Sequence, residues 1–119
     1  MEIRDVLHGS ILVENWELPI IDSRYFQRLR QIKQLGFAEL SFPSATHNRY
    51  IHSLGAMHTA GRAIQEVFDP QKESRSNPEP GRRLSPETIA RFRAVTRLAA
   101  LLHDIGHGPL SHTTEFAMP

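Results

Sequence analysis

The segment Leu101-Leu102-His103-Asp104-Ile105-Gly106-His107-Gly108-Pro109-Leu110-Ser111-His112 constrains this chain more than any other. It follows directly on the apolar run Leu98 to Leu102 and sets three histidines and an aspartate into ten residues. A buried apolar helix seldom ends in such groups, because each polar group left unpaired costs roughly a few kcal/mol. A bound cation offsets that cost. His103 and Asp104 are consecutive and so point roughly 100° apart around a helix, yet both can lean onto one ion near the helix end. That end is a C-terminus, whose unpaired carbonyls carry roughly half a negative charge and favour a metal. His107 follows His103 at i+4 and shares its face if the last turn holds. Gly106, Gly108 and Pro109 stop the helix and leave the histidines beside an open turn.

A matching partner stands upstream in His47-Asn48-Arg49-Tyr50-Ile51-His52-Ser53-Leu54-Gly55. A lone His followed by a distant His-Asp pair resembles the HD-domain metal-dependent phosphohydrolase superfamily. The likeness extends to one branch. Asp22-Ser23-Arg24-Tyr25-Phe26-Gln27-Arg28-Leu29-Arg30-Gln31-Ile32-Lys33-Gln34-Leu35-Gly36 resembles the entry helix of the deoxynucleoside triphosphate triphosphohydrolases (the SAM-and-HD-domain and dGTPase-like enzymes). Phe42-Pro43 and His47-Asn48-Arg49-Tyr50 are similar to the stretch that follows it there. The resemblance covers nearly all of the chain outside residues 69 to 85, and the motifs stand in the family's order.

Composition narrows the chemistry. At 119 residues the chain is at most one small domain. Hydrophobic content of 39% and charged content of 23% are ordinary for a globular protein. A net charge of +1 gives no reason to expect nucleic acid or an anionic membrane as partner. Lysine occurs only at 33 and 72, and the abundant arginine suits bidentate contact with phosphate. Cysteine is absent, which excludes disulfides and thiolate metal sites. Any metal is then held by His and carboxylate, which points to Mn, Fe, Ni, Zn or Mg. No apolar run approaches signal or membrane-spanning length, so a cytoplasmic location is expected.

The expected fold is mainly α, an HD-domain helical bundle with a short N-terminal β-hairpin. Ile3 to Leu7 and Ile11 to Val13 read as strands around a turn at His8-Gly9-Ser10. A first helix follows Asp22 or Ser23 as N-cap and ends at Gly36, with Tyr25, Leu29 and Ile32 on one face. Residues 37 to 51 connect to a second helix from about Ser53 to Phe68, with a core stripe of Leu54, Met57, Gly61, Ile64 and Phe68. Residues 69–85 are expected to be a flexible loop, since Asp69 to Leu84 holds three prolines, one glycine and seven charged residues. Ser85-Pro86-Glu87 starts the next helix with an N-cap, a proline at N1 and an acid facing the dipole. Its expected buried stripe is Ile89, Phe92, Val95, Ala99 and Leu102. A last short helix is expected from near Ser111.

The resemblance assigns roles. His52, His103 and Asp104 are the implied ligands of a divalent metal ion. The implied fourth ligand is an Asp on a downstream helix that the 119 residues do not reach, so the chain is expected to be the N-terminal part of an HD domain. His107 is the implied proton donor or phosphate contact, His112 holds the triphosphate, and Glu115 orients a histidine. Arg49 binds phosphate, while Gln34 and Leu35 line the sugar and base pocket. Asp22, Gln27 and Arg30 match a guanine-nucleotide activator site in one branch. His8, His47 and His58 have no role in this reading.

The function so implied is hydrolysis of a deoxynucleoside triphosphate to deoxynucleoside and inorganic triphosphate. A cyclic-dinucleotide phosphodiesterase fits less well, because His-Gly-Pro follows His-Asp-Ile-Gly here, whereas those enzymes resemble His-Asp-x-Gly-Lys. A different class is a non-catalytic nucleotide-sensing or interaction module, or a truncated inactive product, which the missing fourth ligand favours. By itself the 119-residue chain is expected to be weakly active or inactive. Expected partners are the nucleotide substrate and, through an incompletely covered apolar stripe, a second copy of the chain in a homo-oligomer.

Overall fold

The chain opens in an antiparallel hairpin of β1 (Glu2–Asp5) and β2 (Gly9–Leu12), with Ile3 opposite Ile11. The computed structural model describes residues 1–68 and 84–109. Alternation sends Ile3 and Ile11 toward the core, where Ile11 is buried with Val13. The turn lies at Val6 to His8 and not at His8-Gly9-Ser10, and β1 ends at Asp5 instead of Leu7. The Asp5 side chain causes this. Its Oδ2 accepts from the backbone N–H groups of Leu7 (3.2 Å) and His8 (2.9 Å), which curls the chain early. Gly9, at φ 71°, then takes the left-handed position that a three-residue hairpin needs.

Two short helices follow, α1 (Leu18–Ile21) and α2 (Arg24–Gln27), and α2 runs on as a 3-10 turn over Arg28–Gln31. Ser23 caps α2 by accepting from Phe26 N–H at 3.3 Å. The single helix expected up to Gly36 does not form. Ile32 is extended because the chain here pairs with the entry to the next helix. Arg49 N–H donates to Ile32 O at 2.8 Å and Gln34 N–H to His47 O at 3.0 Å. The buried face is Phe26, Leu29 and Ile32, every third residue, as a three-per-turn helix demands. Tyr25, expected to share a face with Leu29 and Ile32, is 59% exposed.

The third helix, α3 (Arg49–Val67), starts four residues before the expected Ser53, because Asn48 Oδ1 caps Ile51 N–H at 3.1 Å. Leu54, Met57 and Gly61 of its expected stripe are buried, while Ile64 and Phe68 are half-buried. The fourth helix, α4 (Pro86–Leu102), begins at Ser85, which accepts from Thr88 N–H at 3.2 Å, with Pro86 and Glu87 in its first turn. It packs along α3.

The buried stripe of α4 differs from the expected one. Phe92 and Val95 are 49% and 65% exposed, and Ala99 is exposed too. The residues turned inward are Arg97, Leu101 and, past the helix, Asp104. Arg97 causes the change, because it is committed to a buried carboxylate at Glu17. The loop expected at 69–85 falls outside the described residues up to 83, and its end supplies the Ser85 cap. The helix expected from Ser111 also lies outside the described residues. No described helix is long and apolar enough to cross a membrane.

The hairpin docks on α3 through His8. Its Nδ1 lies 2.7 Å from Asp5 Oδ2, and its ring stands edge-on to His58 at 5.6 Å between centroids. Burial alone would raise the Asp5 carboxyl, but hydrogen bonds from the His8 ring and the 7–8 backbone hold it below its ordinary value. The His8 ring rests on Gly55, where a Cβ would come within 2.6 Å of Cε1. Gly55→Ala should therefore destabilise the protein by about 1–3 kcal/mol in chemical unfolding, and the loss should vanish in a His8→Ala background.

Burial, helped by His8, Arg62 and Arg97, holds His58 below its ordinary 6.5 against the pull of Asp5. The unfolded chain then takes up a proton first as pH falls below 6.5, so stability declines from there down to the folded pKa and is unaffected above. Unfolding titrations at pH 7.5 and 5.5 should show a smaller acid loss for His58→Gln than for the parent.

Candidate metal centre

Four segments deliver the site. His52 stands in the first turn of α3, which the Asn48 cap fixes in place. His103 is the C-cap of α4, and Asp104 follows it as a buried carboxylate. The chain then leaves the helix in a turn, with Ile105 N–H donating to Leu102 O at 3.0 Å and His107 N–H to Asp104 O at 3.1 Å. Arg28 holds that turn from the other side, its Nη2 donating to Ile105 O at 2.5 Å. Sequence reasoning missed Arg28, because nothing in a basic residue on a helix face signals a backbone carbonyl 77 positions away.

The donor atoms converge. His52 Nε2 lies 3.2 Å from His103 Nε2 and 3.6 Å from Asp104 Oδ2, and His103 Nε2 lies 3.4 Å from Asp104 Oδ1. One ligand atom from each of the three falls within 4.8 Å of the others. An ion with bonds of about 2.0–2.2 Å sets its adjacent donors roughly 3.0–3.4 Å apart, so the spacing suits a shared cation. The donor set of two imidazoles and one carboxylate belongs to the divalent first-row metals.

Protonation suits the same role. His103 Nδ1–H donates to Ala100 O at 2.6 Å, which turns Nε2 toward the site. Burial holds the His52 imidazole below its ordinary value despite Asp104, with His103, Arg49 and His47 adding to the shift. A neutral ring is the form that binds a metal. Asp104 is buried and anchored by Arg49, whose Nη1 donates to Oδ2 at 2.6 Å. His107 reaches the same carboxylate, its Nε2 3.4 Å from Oδ1, but along the turn and not on a continued helix face.

The structure thus brings His52, His103, Asp104, His107 and Arg49 into one cluster. Arg49 is turned to Asp104 and is 2% exposed. Gln34 and Leu35 lie beside the cluster on the segment paired with His47, Leu35 exposed and Gln34 half-buried. The Gln34 side-chain oxygen is buried with no hydrogen-bond partner among the described residues. Asp22, Gln27 and Arg30 sit on the α1–α2 surface. Gln27 donates to Ile21 O at 2.8 Å, and Arg30 bonds Gln27 at 2.7 Å while its guanidinium covers the Tyr50 ring at 3.7 Å. His112 and Glu115 lie outside the described residues. A cleft of about 780 Å³ opens at His52, walled by Asp5 to His8 of the hairpin turn and by Ile51, Gly55 and Ala56 of α3, with His47 at its edge.

Two replacements separate support from ligation. Asp104→Ala removes one member of a buried ion pair and should cost about 3–5 kcal/mol of stability. His103→Ala removes a half-exposed ring and should change stability by about 0.5 kcal/mol or less. Thermal unfolding of both variants without added metal checks the contrast.

Comparison with known proteins agrees with this geometry. The HD domain family model matches residues 49–118. A deoxynucleoside triphosphate triphosphohydrolase SAMHD1 homolog of Dictyostelium discoideum is 39% identical over 113 residues, covering 95% of this chain and 20% of that protein. The deoxynucleoside triphosphate triphosphohydrolase SAMHD1 of Bos taurus is 42% identical over 110 residues, covering 92% of this chain and 17% of its own length. The crystal structure of a hypothetical protein from Aquifex aeolicus superposes with a TM-score of 0.74 at 41% identity, over 100% of this chain and 27% of that one. The chain spans about a fifth of the length of the curated relatives it matches. With a family model matched from the start of α3 onward and its His and His-Asp residues gathered at one point, the chain belongs to the HD-domain family.

Proposed function

We propose that this chain forms part of a metal-dependent phosphohydrolase that splits deoxynucleoside triphosphates into deoxynucleoside and inorganic triphosphate. The observation that carries the reading is the convergence of His52, His103 and Asp104 beside a cleft of nucleotide size. The names of the relatives support the substrate class.

A divalent ion bound there would supply Lewis acidity toward a phosphoryl oxygen and lower the pKa of a water molecule. The residues of the chain do the rest. His52 and His103 present Nε2 atoms, and Asp104 presents a carboxylate whose position Arg49 fixes. Water adds to the α-phosphorus as the bond to the 5′ oxygen breaks, and that oxygen must gain a proton. His107, close to Asp104 and half-buried, is the proposed donor. Arg49 and His112 are the proposed cations beside the phosphates, and Glu115 the proposed partner of a histidine. Gln34 offers an orphaned buried acceptor that a sugar hydroxyl would satisfy, with Leu35 as an apolar wall. Asp22, Gln27 and Arg30 are proposed as a second, regulatory nucleotide site.

The test is a panel of deoxynucleoside triphosphates incubated with manganese and the whole phosphohydrolase of which this chain is proposed to be a part, with products separated. Deoxynucleoside and triphosphate should appear and be lost in His103→Ala. Arg49→Lys, which keeps the charge but loses the Nη1 contact with Asp104, should weaken metal binding about 10–100-fold. Nucleotide binding with no turnover at any metal would make the protein a sensor and overturn the enzymatic reading.

A further inference from the structure

We propose that the buried pair Glu17–Arg97 is a positioning device for the metal centre. It sets the rotation of α4 about its own axis and so decides where His103 and Asp104 arrive. The proposal rests on the reading of His52, His103 and Asp104 as metal ligands.

The pair is unusual in its burial. Glu17 is 0% and Arg97 2% exposed, and they lie 80 positions apart. The contact is a fork, with Arg97 Nε donating to Oε1 and Nη2 to Oε2, each at 2.7 Å. Nη2 also donates to Leu12 O at 3.0 Å, and Glu17 Oε2 accepts from Glu14 N–H at 2.8 Å. Such planar two-bond recognition fixes direction as well as distance. The helix opposite has a notch for it. At Gly61 of α3 a Cβ would come within 2.8 Å of Arg97 Nη1 and 3.1 Å of Cδ. One turn earlier, Arg93 binds Glu14, so two arginines of α4 grip the same link between β2 and α1.

Hydrophobicity alone would not choose this rotation. Val95 faces outward and Phe92, stacked on Phe68, stays 49% exposed, while a guanidinium faces the core. Phe92 and Arg97 are five residues apart, roughly 140° around a helix. Arg97 and Asp104 are seven apart, nearly two full turns, and share the buried side with Leu101 between them. If α4 rolled to bury Phe92, its ligand-bearing end would swing by a distance on the order of a helix diameter, about 10 Å. That roll would carry Arg97 to solvent and leave the Glu17 carboxylate buried without its cation, and this uncompensated charge blocks it.

Cobalt(II) titration followed by its visible ligand-field absorption is the test, run beside thermal unfolding. The parent should give the band and His103→Ala should not. A parent without any band would refute the metal centre itself, and this proposal with it. In the double variant Glu17→Leu/Arg97→Met the pair becomes apolar at similar volume, a change that buried ion pairs often tolerate. The folded double variant should bind cobalt at least about tenfold more weakly, with a shifted spectrum. Parent-like affinity and spectrum in that variant would overturn the proposal while leaving the metal centre intact. Arg97→Lys keeps the charge and loses the fork, and it serves if the double variant does not fold. It should weaken cobalt binding and shift the band while unfolding cooperatively, and an unchanged spectrum would again refute the idea.

Discussion

The ion pair between Arg49 and Asp104 ties the structure together. A guanidinium at the start of α3 meets a carboxylate just past the end of α4, across 55 residues. Each is nearly buried, and moving such an ion out of water costs several kcal/mol before any partner is found. Neither can enter the core without the other. Arg49 is also the residue whose N–H binds Ile32 O, so the pair reaches the α2 segment through the backbone. Three segments distant in sequence are thereby referred to one carboxylate.

That carboxylate has two sides with different duties. Oδ2 is taken by Arg49, while Oδ1 looks toward His103 and His107. A single aspartate can thus be held rigid by a cation inside the protein and still offer an oxygen outward. The neutral state that burial favours for His52 keeps a second donor ready on the opposite helix. The wall of the adjoining cleft depends on a different lock, the Asp5–His8 turn seated on Gly55.

Local signals were legible in the sequence. Ser85 with Pro86 and Glu87 marks the start of α4, Ser23 the cap of α2, and the His-Asp pair the end of α4, because each acts within a few residues. His52, His103 and Asp104, which converge at the ends of the two long helices, could be singled out as well, since a motif carries its own context. What failed were readings of which face is buried. Phe92 and Val95 fit an apolar stripe, yet the helix turns on Arg97, whose partner is a glutamate 80 positions earlier. The entry helix broke for a similar reason, a backbone pairing between Ile32 and Arg49 that no local propensity encodes. The hairpin turn shifted through one side chain, Asp5, competing for backbone N–H groups. Periodicity reports the apolar share of a surface, and it is silent on a buried charge with a distant partner.

The two buried pairs that α4 and the residues just past it enter carry opposite signs at successive positions. Near the middle of the helix Arg97 brings a positive charge to Glu17, and beyond its end Asp104 brings a negative charge to Arg49. Laid head to tail in the other sense, the same helix would press Arg97 toward Arg49 and Asp104 toward Glu17. Each contact would then bury like charges, a penalty that apolar packing on one helix could not repay. The earlier part of the chain therefore carries a polar template of one negative and one positive socket for α4. The helix that arrives can be accepted in a single direction, and the vector of its backbone, with His103 at the far end, is specified by charge order before any metal is met.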